Sequence, residues 1–185
     1  MSATIPSLES IRSILDRLGI FTKLSSFDPH WVGSIPLDIH GPDADADICC
    51  TGGDLAVFGQ AIERTFEHLP NFSISPNTHA GEDSIISSFS FEDLPVEIYG
   101  RARPVETHES YIHWLAGDRL LGLAERRLRD DVRATKLTGL KTEPAFAKCL
   151  RLGGDPYAEM LKLASPGDPA LREIIRSAGY STSVT

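Results

Sequence analysis

A change of periodicity at Pro104 constrains this chain more than any other feature of its sequence. Upstream of it, short runs at 27–32, 45–50, 72–75, 85–91 and 96–99, bounded by Pro, Asn, Gly and Asp clusters, read as strands. Two helical patterns interleave with them. Pro6-Ser7 precedes a stripe of Ile11, Ile14, Leu15 and Leu18 that stops at Gly19. Leu55, Phe58, Ile62, Phe66 and Leu69 mark a second helix between Gly52-Gly53-Asp54 and Pro70. Downstream, Ile112, Leu115, Leu120, Leu123 and Ala124 share one broad helical face, and helical patterns continue to Gly179. Thr142 before Glu143-Pro144, Asp155 before Pro156 and Asp168 before Pro169 are expected helix starts. The order predicts an α/β (α+β) architecture: a small mixed or antiparallel sheet of four to five strands with flanking helices over 1–104, then a helical region over 105–180 packed on that core as one compact unit. The last residues, STSVT, are expected to fray.

Composition excludes some function classes. With 41% hydrophobic and 24% charged residues the chain is ordinary globular material, and no apolar run approaches the roughly 20 residues that cross a bilayer. The start MSATIPSLES has neither a basic beginning nor an apolar signal core, so a soluble, cytoplasmic protein is expected. The adjacent Cys49 and Cys50 cannot easily bridge to each other and lack the spacing of a zinc site, which predicts reduced, buried thiols. A net charge of −8 argues against an extended grip on nucleic acid and leaves a small ligand, a protein or a locally held RNA end as partners. Nothing in the sequence indicates the oligomeric state.

The candidate chemistry is acidic. On a strand, side chains alternate between faces, so Asp45 and Asp47 of DADADICC point to one side, away from Ala46 and Ile48. Glu97 lies between Val96 and Ile98, which turns the acid away from the core together with Tyr99. If the two strands pair, three carboxylates meet. No Lys or Arg adjoins Asp45 and Asp47, so their mutual repulsion calls for a hard divalent cation, Mg²⁺ or Mn²⁺. Gly33-Ser34, after a strand, has the form of a phosphate cradle, with glycine admitting close backbone approach and a hydroxyl beside it.

Val32-Gly33-Ser34, then Asp45-Ala46-Asp47-Ile48, then Glu97-Ile98 resembles the signature of the nucleotidyltransferase superfamily, the fold shared with DNA polymerase β. The stretches GSIPLDIHGPDADADICC, VEIYGRARPVETHESYIHW and GLKTEPAFAKCLRLGGDPY are together similar to the bacterial family called domain of unknown function 4269, over positions 33 to 157. The resemblance implies the nucleotidyltransferase fold, a nucleoside triphosphate as ligand, and Asp45, Asp47 and Glu97 as catalytic metal ligands. The family usually has Gly-Ser where this chain has Asp43-Ala44, and a Gln near the place of His108.

Other candidates carry two readings each. Lys141 and Thr142 stand at an expected helix N-terminus, either as a simple cap or as triphosphate contacts. Arg101 and Arg103 follow the strand that bears Glu97, either as phosphate ligands or as part of a solvated loop. His108 and His113, five apart, would lie about 140° apart on a helix and make a poor shared metal pair. The Arg- and Asp-rich run 125–133 reads as a solvated helix face or junction, or as a local RNA or nucleotide contact. Three activities remain in view: transfer of a nucleoside monophosphate from an NTP to an unknown hydroxyl or phosphate acceptor, a non-catalytic nucleotide-binding or toxin–antitoxin module, and metal-dependent phosphohydrolysis.

Overall fold

Ser7 accepts a hydrogen bond from the Ser10 amide at 3.1 Å and starts α1 (Leu8–Leu18), which buries Ile11, Leu15 and Leu18. A computed structural model describes residues 5–79 and 81–183. Gly19 ends α1 in the left-handed region, φ 66°, where glycine meets no steric penalty. A short α2 (Ile20–Lys23) and a 3₁₀ turn (Ser25–Phe27) come next, so that of the run 27–32 expected as a strand Phe27 belongs to the turn and β1 covers only His30–Val32. Then come β2 (Ala46–Thr51), α3 (Leu55–Phe66), β3 (Ser73–His79), β4 (Glu82–Phe91) and β5 (Leu94–Arg101). Asp54 caps α3 by accepting from the amides of Ala56 and Val57. After a second 3₁₀ turn (Val105–Thr107) the chain is helical: α4 (Glu109–Leu123), α5 (Arg126–Lys136), α6 (Thr142–Leu150), α7 (Pro156–Lys162) and α8 (Asp168–Ser177). Among the described residues no helix is long and apolar enough to cross a membrane.

The five strands form one mixed sheet in the order β1-β2-β5-β4-β3. The strands β2 and β5 pair in parallel, whereas β1 with β2, β3 with β4 and β4 with β5 pair antiparallel. Period-2 alternation divides the residues of this sheet. Ala46, Ile48, Phe89, Val96 and Ile98 are buried on one face, where Phe89 stacks on Phe66 of α3 with ring centroids 4.9 Å apart. Gly100 lets α3 come this close, because a Cβ there would stand 2.3 Å from Cε1 of Phe58. Asp47, Cys49, Glu97, Tyr99 and Arg101 belong to the opposite face. The β4–β5 turn places both Glu92 and Asp93 at positive φ, 49° and 63°, as a tight hairpin of the right twist requires.

Compactness divides the chain into two units, the residues up to Val32 with Asp43–Tyr111, and Gly33–Pro42 with the residues from Ile112 onward. The second has its own core, in which Leu37 and Ile39 join Leu120, Phe146, Met160 and Ile175. Two arginines of the run 125–133 hold the Gly33–Pro42 segment in this unit: Arg129 donates to the Leu37 carbonyl, and Arg133 to that of Asp38 as well as pairing with its carboxylate at 2.7 Å. That run is therefore only partly a solvated face. Asp155 caps α7 as expected, accepting from Ala158 N at 2.8 Å. Thr142 and Asp168 do not cap. They are the first residues of their helices, behind Lys141 and Gly167, and their side chains are engaged by Lys136 and Arg119. The expected fraying fails over Ser181–Ser183, since Ser183 N donates to Leu123 O at 2.9 Å and Thr182 bridges to Ala124. Val184 and Thr185 lie outside the described residues.

Candidate active site

The parallel pairing of β2 and β5 makes Asp47 and Glu97 register partners. Register partners point to the same side of a sheet from strands about 4.8 Å apart, so the two acids stand side by side on the face away from α3. Both are half-buried. Asp45 lies one residue before β2, exposed and outside the ladder. It nevertheless shares an open hollow of about 230 Å³ with Glu97, whose wall also includes Asn71, Ser88, Ser90 and Pro95. The three acids expected at one point are thus arranged as a register pair with a neighbour. Among the described residues no group of three or more His, Cys, Asp or Glu side chains is placed to hold a metal ion. Two carboxylates are the donor set that Mg²⁺ takes when water and phosphate oxygens complete its shell, and in that chemical sense the pair fits the ion.

The residues expected to hold phosphate fall into different surroundings. Gly33 adopts φ 80° and comes directly after Val32, the register partner of Asp47, but with Ser34 it belongs to the second unit. The Ser34 carbonyl accepts from Ile39 N at 3.2 Å and closes the turn. Arg101 lies four residues beyond Glu97, roughly 13 Å along an extended strand. It is 5% exposed and donates to Glu82 at 2.6 Å and Glu109 at 2.9 Å, while Arg103 binds the same two carboxylates at 3.0 Å each. These arginines fasten the ends of β4 and β5 to the start of α4. In the second unit Lys141 is exposed at the α6 N-terminus, and Thr142 Oγ1 lies 2.7 Å from Lys136 Nζ, accepting its hydrogen bond.

Two histidines are held by hydrogen bonds whose partners are distant in sequence or follow from the fold. His108 is fully buried between Cys49 Sγ, 2.9 Å from Nδ1, and the Arg103 carbonyl, 3.0 Å from Nε2. The carbonyl can only accept, which assigns the proton to Nε2 and makes Nδ1 the acceptor of the thiol proton. Burial lowers the pKa of His108 and pushes the Cys49 thiol up to about 11, so both are neutral and the pair packs rather than reacts. Cys50 is pushed higher still by burial. In the second unit His113 Nε2 lies 3.1 Å from the Tyr157 carbonyl and Nδ1 lies 3.3 Å from Glu143. Burial acts to raise the Glu143 carboxyl, but the hydrogen bond from His113 and its own backbone amide outweigh it and hold the group below the usual range.

No curated protein matches the sequence. Several solved structures share the fold. A Cid1 poly(U) polymerase with MgGTP bound superposes with a TM-score of 0.53 at 14% identity, over 83% of this chain and 48% of that one. The GLD-2/RNP-8 complex gives 0.51 at 15% identity over 77% and 56%, and a cytoplasmic RNA terminal U-transferase gives 0.50 at 15% over 85% and 47%. The chain spans about half the length of these proteins. At such identities the likeness establishes the nucleotidyltransferase fold, which is the fold the resemblance carried by Gly33-Ser34, Asp45-x-Asp47 and Glu97 implied. Residues 13–163 match the family described as Domain of unknown function (DUF4269), and the chain belongs to that family.

Proposed function

We propose that the protein transfers a nucleoside monophosphate from a nucleoside triphosphate to a hydroxyl acceptor. The observation that carries this reading is the in-register pairing of Asp47 with Glu97 on adjacent parallel strands of a nucleotidyltransferase-fold sheet. Asp47 and Glu97 are the residues that would hold Mg²⁺, and Asp45 flanks them. When bound, the ion supplies charge stabilisation for the triphosphate and its pyrophosphate leaving group. The protein's own part is positional. The parallel ladder fixes the spacing of Asp47 and Glu97, α3 packed against Gly100 steadies β5, and the exposed Asp45 carboxylate accepts the proton that the acceptor hydroxyl loses. For Gly33, Ser34, Lys141 and Thr142, phosphate binding is the role implied by residue type, and Ser34→Ala and Lys141→Ala should each weaken the response to triphosphate. Arg101 and Arg103 act as structural fasteners.

The expectation that a charge of −8 disfavours an extended nucleic-acid partner finds no support among the fold's relatives, which include an RNA terminal U-transferase, so RNA belongs among the acceptors tested. The deciding experiment is a thermal-shift screen of the four NTPs with Mg²⁺ or Mn²⁺. An NTP at about 100 times its dissociation constant adds about 2.7 kcal/mol, a shift that needs both metal and triphosphate. Asp47→Asn should abolish it while the variant stays folded. An undiminished shift in Asp47→Asn counts against the site. Pyrophosphate with a labelled acceptor identifies transfer, a nucleoside monophosphate or free phosphate alone identifies hydrolysis, and binding with no product identifies a non-catalytic module.

A further inference from the structure

The sheet carries more than acids on the face that presents Asp47 and Glu97. Glu97 pairs across to Ser88 on β4, and Ser88 to Ser73 on β3, so the acid row continues as a hydroxyl row. One step along, Ser90 is the register partner of Pro95, next to the position of Asp45. The hydroxyls are already oriented: Ser73 Oγ and Ser88 Oγ lie 2.9 Å apart, and Asn71 Nδ2 donates to Ser90 Oγ at 3.1 Å. Asp45, Glu97, Ser88, Ser90 and Asn71 together line the hollow of about 230 Å³.

This wall has a definite chemical preference. None of the described residues lining it is cationic, so a phosphodiester chain would bring its negative charge against two carboxylates with only an ion held at Glu97 to offset it. A neutral molecule with adjacent hydroxyls meets the reverse situation. Its O–H groups donate to the carboxylates, which only accept. Ser90, which accepts from Asn71, retains its own O–H to donate, and the Ser73–Ser88 pair uses one hydroxyl proton internally and keeps the other. The volume lies below the ~300–1,000 Å³ of drug-sized sites and suits a single ring rather than a chain.

We propose that this hollow is the acceptor site and that it takes a neutral, monosaccharide-sized polyol. The assignment of the bound molecule as acceptor rests on the transfer reading above; its binding does not. In the transfer a sugar hydroxyl oxygen forms a bond to the α-phosphorus of the NTP, and the bond from that phosphorus to the bridging oxygen breaks. Pyrophosphate leaves with the electron pair, and the hydroxyl proton passes to Asp45. The product is a sugar esterified by a nucleoside monophosphate.

Saturation-transfer NMR on the full chain, without metal or nucleotide, tests the site with D-ribose, D-glucose and a ten-nucleotide oligouridylate. Saturation should reach the ring protons of at least one sugar. The sugar's affinity should fall about tenfold or more in Ser88→Ala/Ser90→Ala, where two hydrogen bonds are lost. It should also fall in Ser90→Leu, which fills the space while the first variant leaves it open. Absence of saturation transfer to both sugars, sugar binding that is unchanged in both variants, or oligouridylate binding that the double substitution abolishes would each overturn the proposal. Sugar binding in a protein with no metal-dependent NTP shift would remove the transfer reading alone, and an intact NTP shift without sugar binding would remove this inference alone.

Discussion

Substituting Gly100 by Ala tests how the strand that bears Glu97 is seated against α3. The added Cβ would lie 2.3 Å from Cε1, 2.6 Å from Cζ and 2.9 Å from Cδ1 of Phe58, against an ordinary carbon–carbon contact of about 3.5–4.0 Å. The ring has to withdraw by roughly 1 Å. Phe58 has little room to do so, because it is fully buried and sits edge-on to Phe27 with centroids 5.0 Å apart. Overpacking of this kind costs about 1–3 kcal/mol. For a chain of this size each kcal/mol lowers Tm by about 2–4 °C. Urea unfolding followed by far-UV circular dichroism measures the loss, and a double-mutant cycle assigns its cause. Phe58→Ala alone should cost about 3–5 kcal/mol, and adding Gly100→Ala to it should cost almost nothing further, since the new methyl enters vacated space. An equal cost of Gly100→Ala in both backgrounds would refute the steric argument. Gly100 lies three residues beyond Glu97, so the single variant should also blunt the metal-dependent NTP shift.

Arg101→Met should destabilise the protein by about 1–2 kcal/mol in chemical denaturation, with the half-exposed Glu82 and Glu109 limiting the loss, and should leave the dissociation constant of Mg-NTP unchanged. A large rise in that constant would return Arg101 to the phosphate site. The Glu143 carboxyl is depressed in the folded protein, so its contribution is present above the unfolded-state pKa and is lost as pH falls through the lower folded value. Glu143→Gln should therefore flatten the acid limb of stability against pH, measured by urea midpoints below the ordinary carboxylate range. Because Cys49 and Cys50 are fully buried with raised pKa values, iodoacetamide at neutral pH should modify Cys149 alone in the native protein, as peptide mass mapping would read; prompt labelling of Cys49 would contradict the neutral Cys49–His108 pair.

What could be read from the chain beforehand follows the range of the interactions involved. The stripe Ile11, Leu15, Leu18 and the Gly19 stop announce α1 because amphipathic period and cap are local, and the same holds for Asp54 before α3 and Asp155 before α7. Alternation around Glu97 gives its face correctly, since Val96 and Ile98 are buried and Glu97 is not. The break between 85–91 and 96–99 is legible, but its tight hairpin form is not, because the positive-φ residues are Glu92 and Asp93 rather than Asn or Gly, and Arg17 of α1, distant in sequence, binds Glu92 there. Thr142 and Asp168 match the pattern of a cap before Pro, yet partners six and forty-nine residues away engage their side chains. The site divides in the same manner. Two carboxylates with a strand period announce themselves, whereas the serines opposite them become part of a site only through register. Nothing in SFSF or PNFS distinguishes Ser88 or Asn71 from surface residues until β4 is laid beside β5 with Ser88 against Glu97. Register is set by the tight turn and the burial of Phe89 and Val96 on the other face, and a slip of one residue would turn every hydroxyl in the row toward α3. The acceptor side of such a site is therefore encoded in the hydrophobic residues between the serines as much as in the serines themselves.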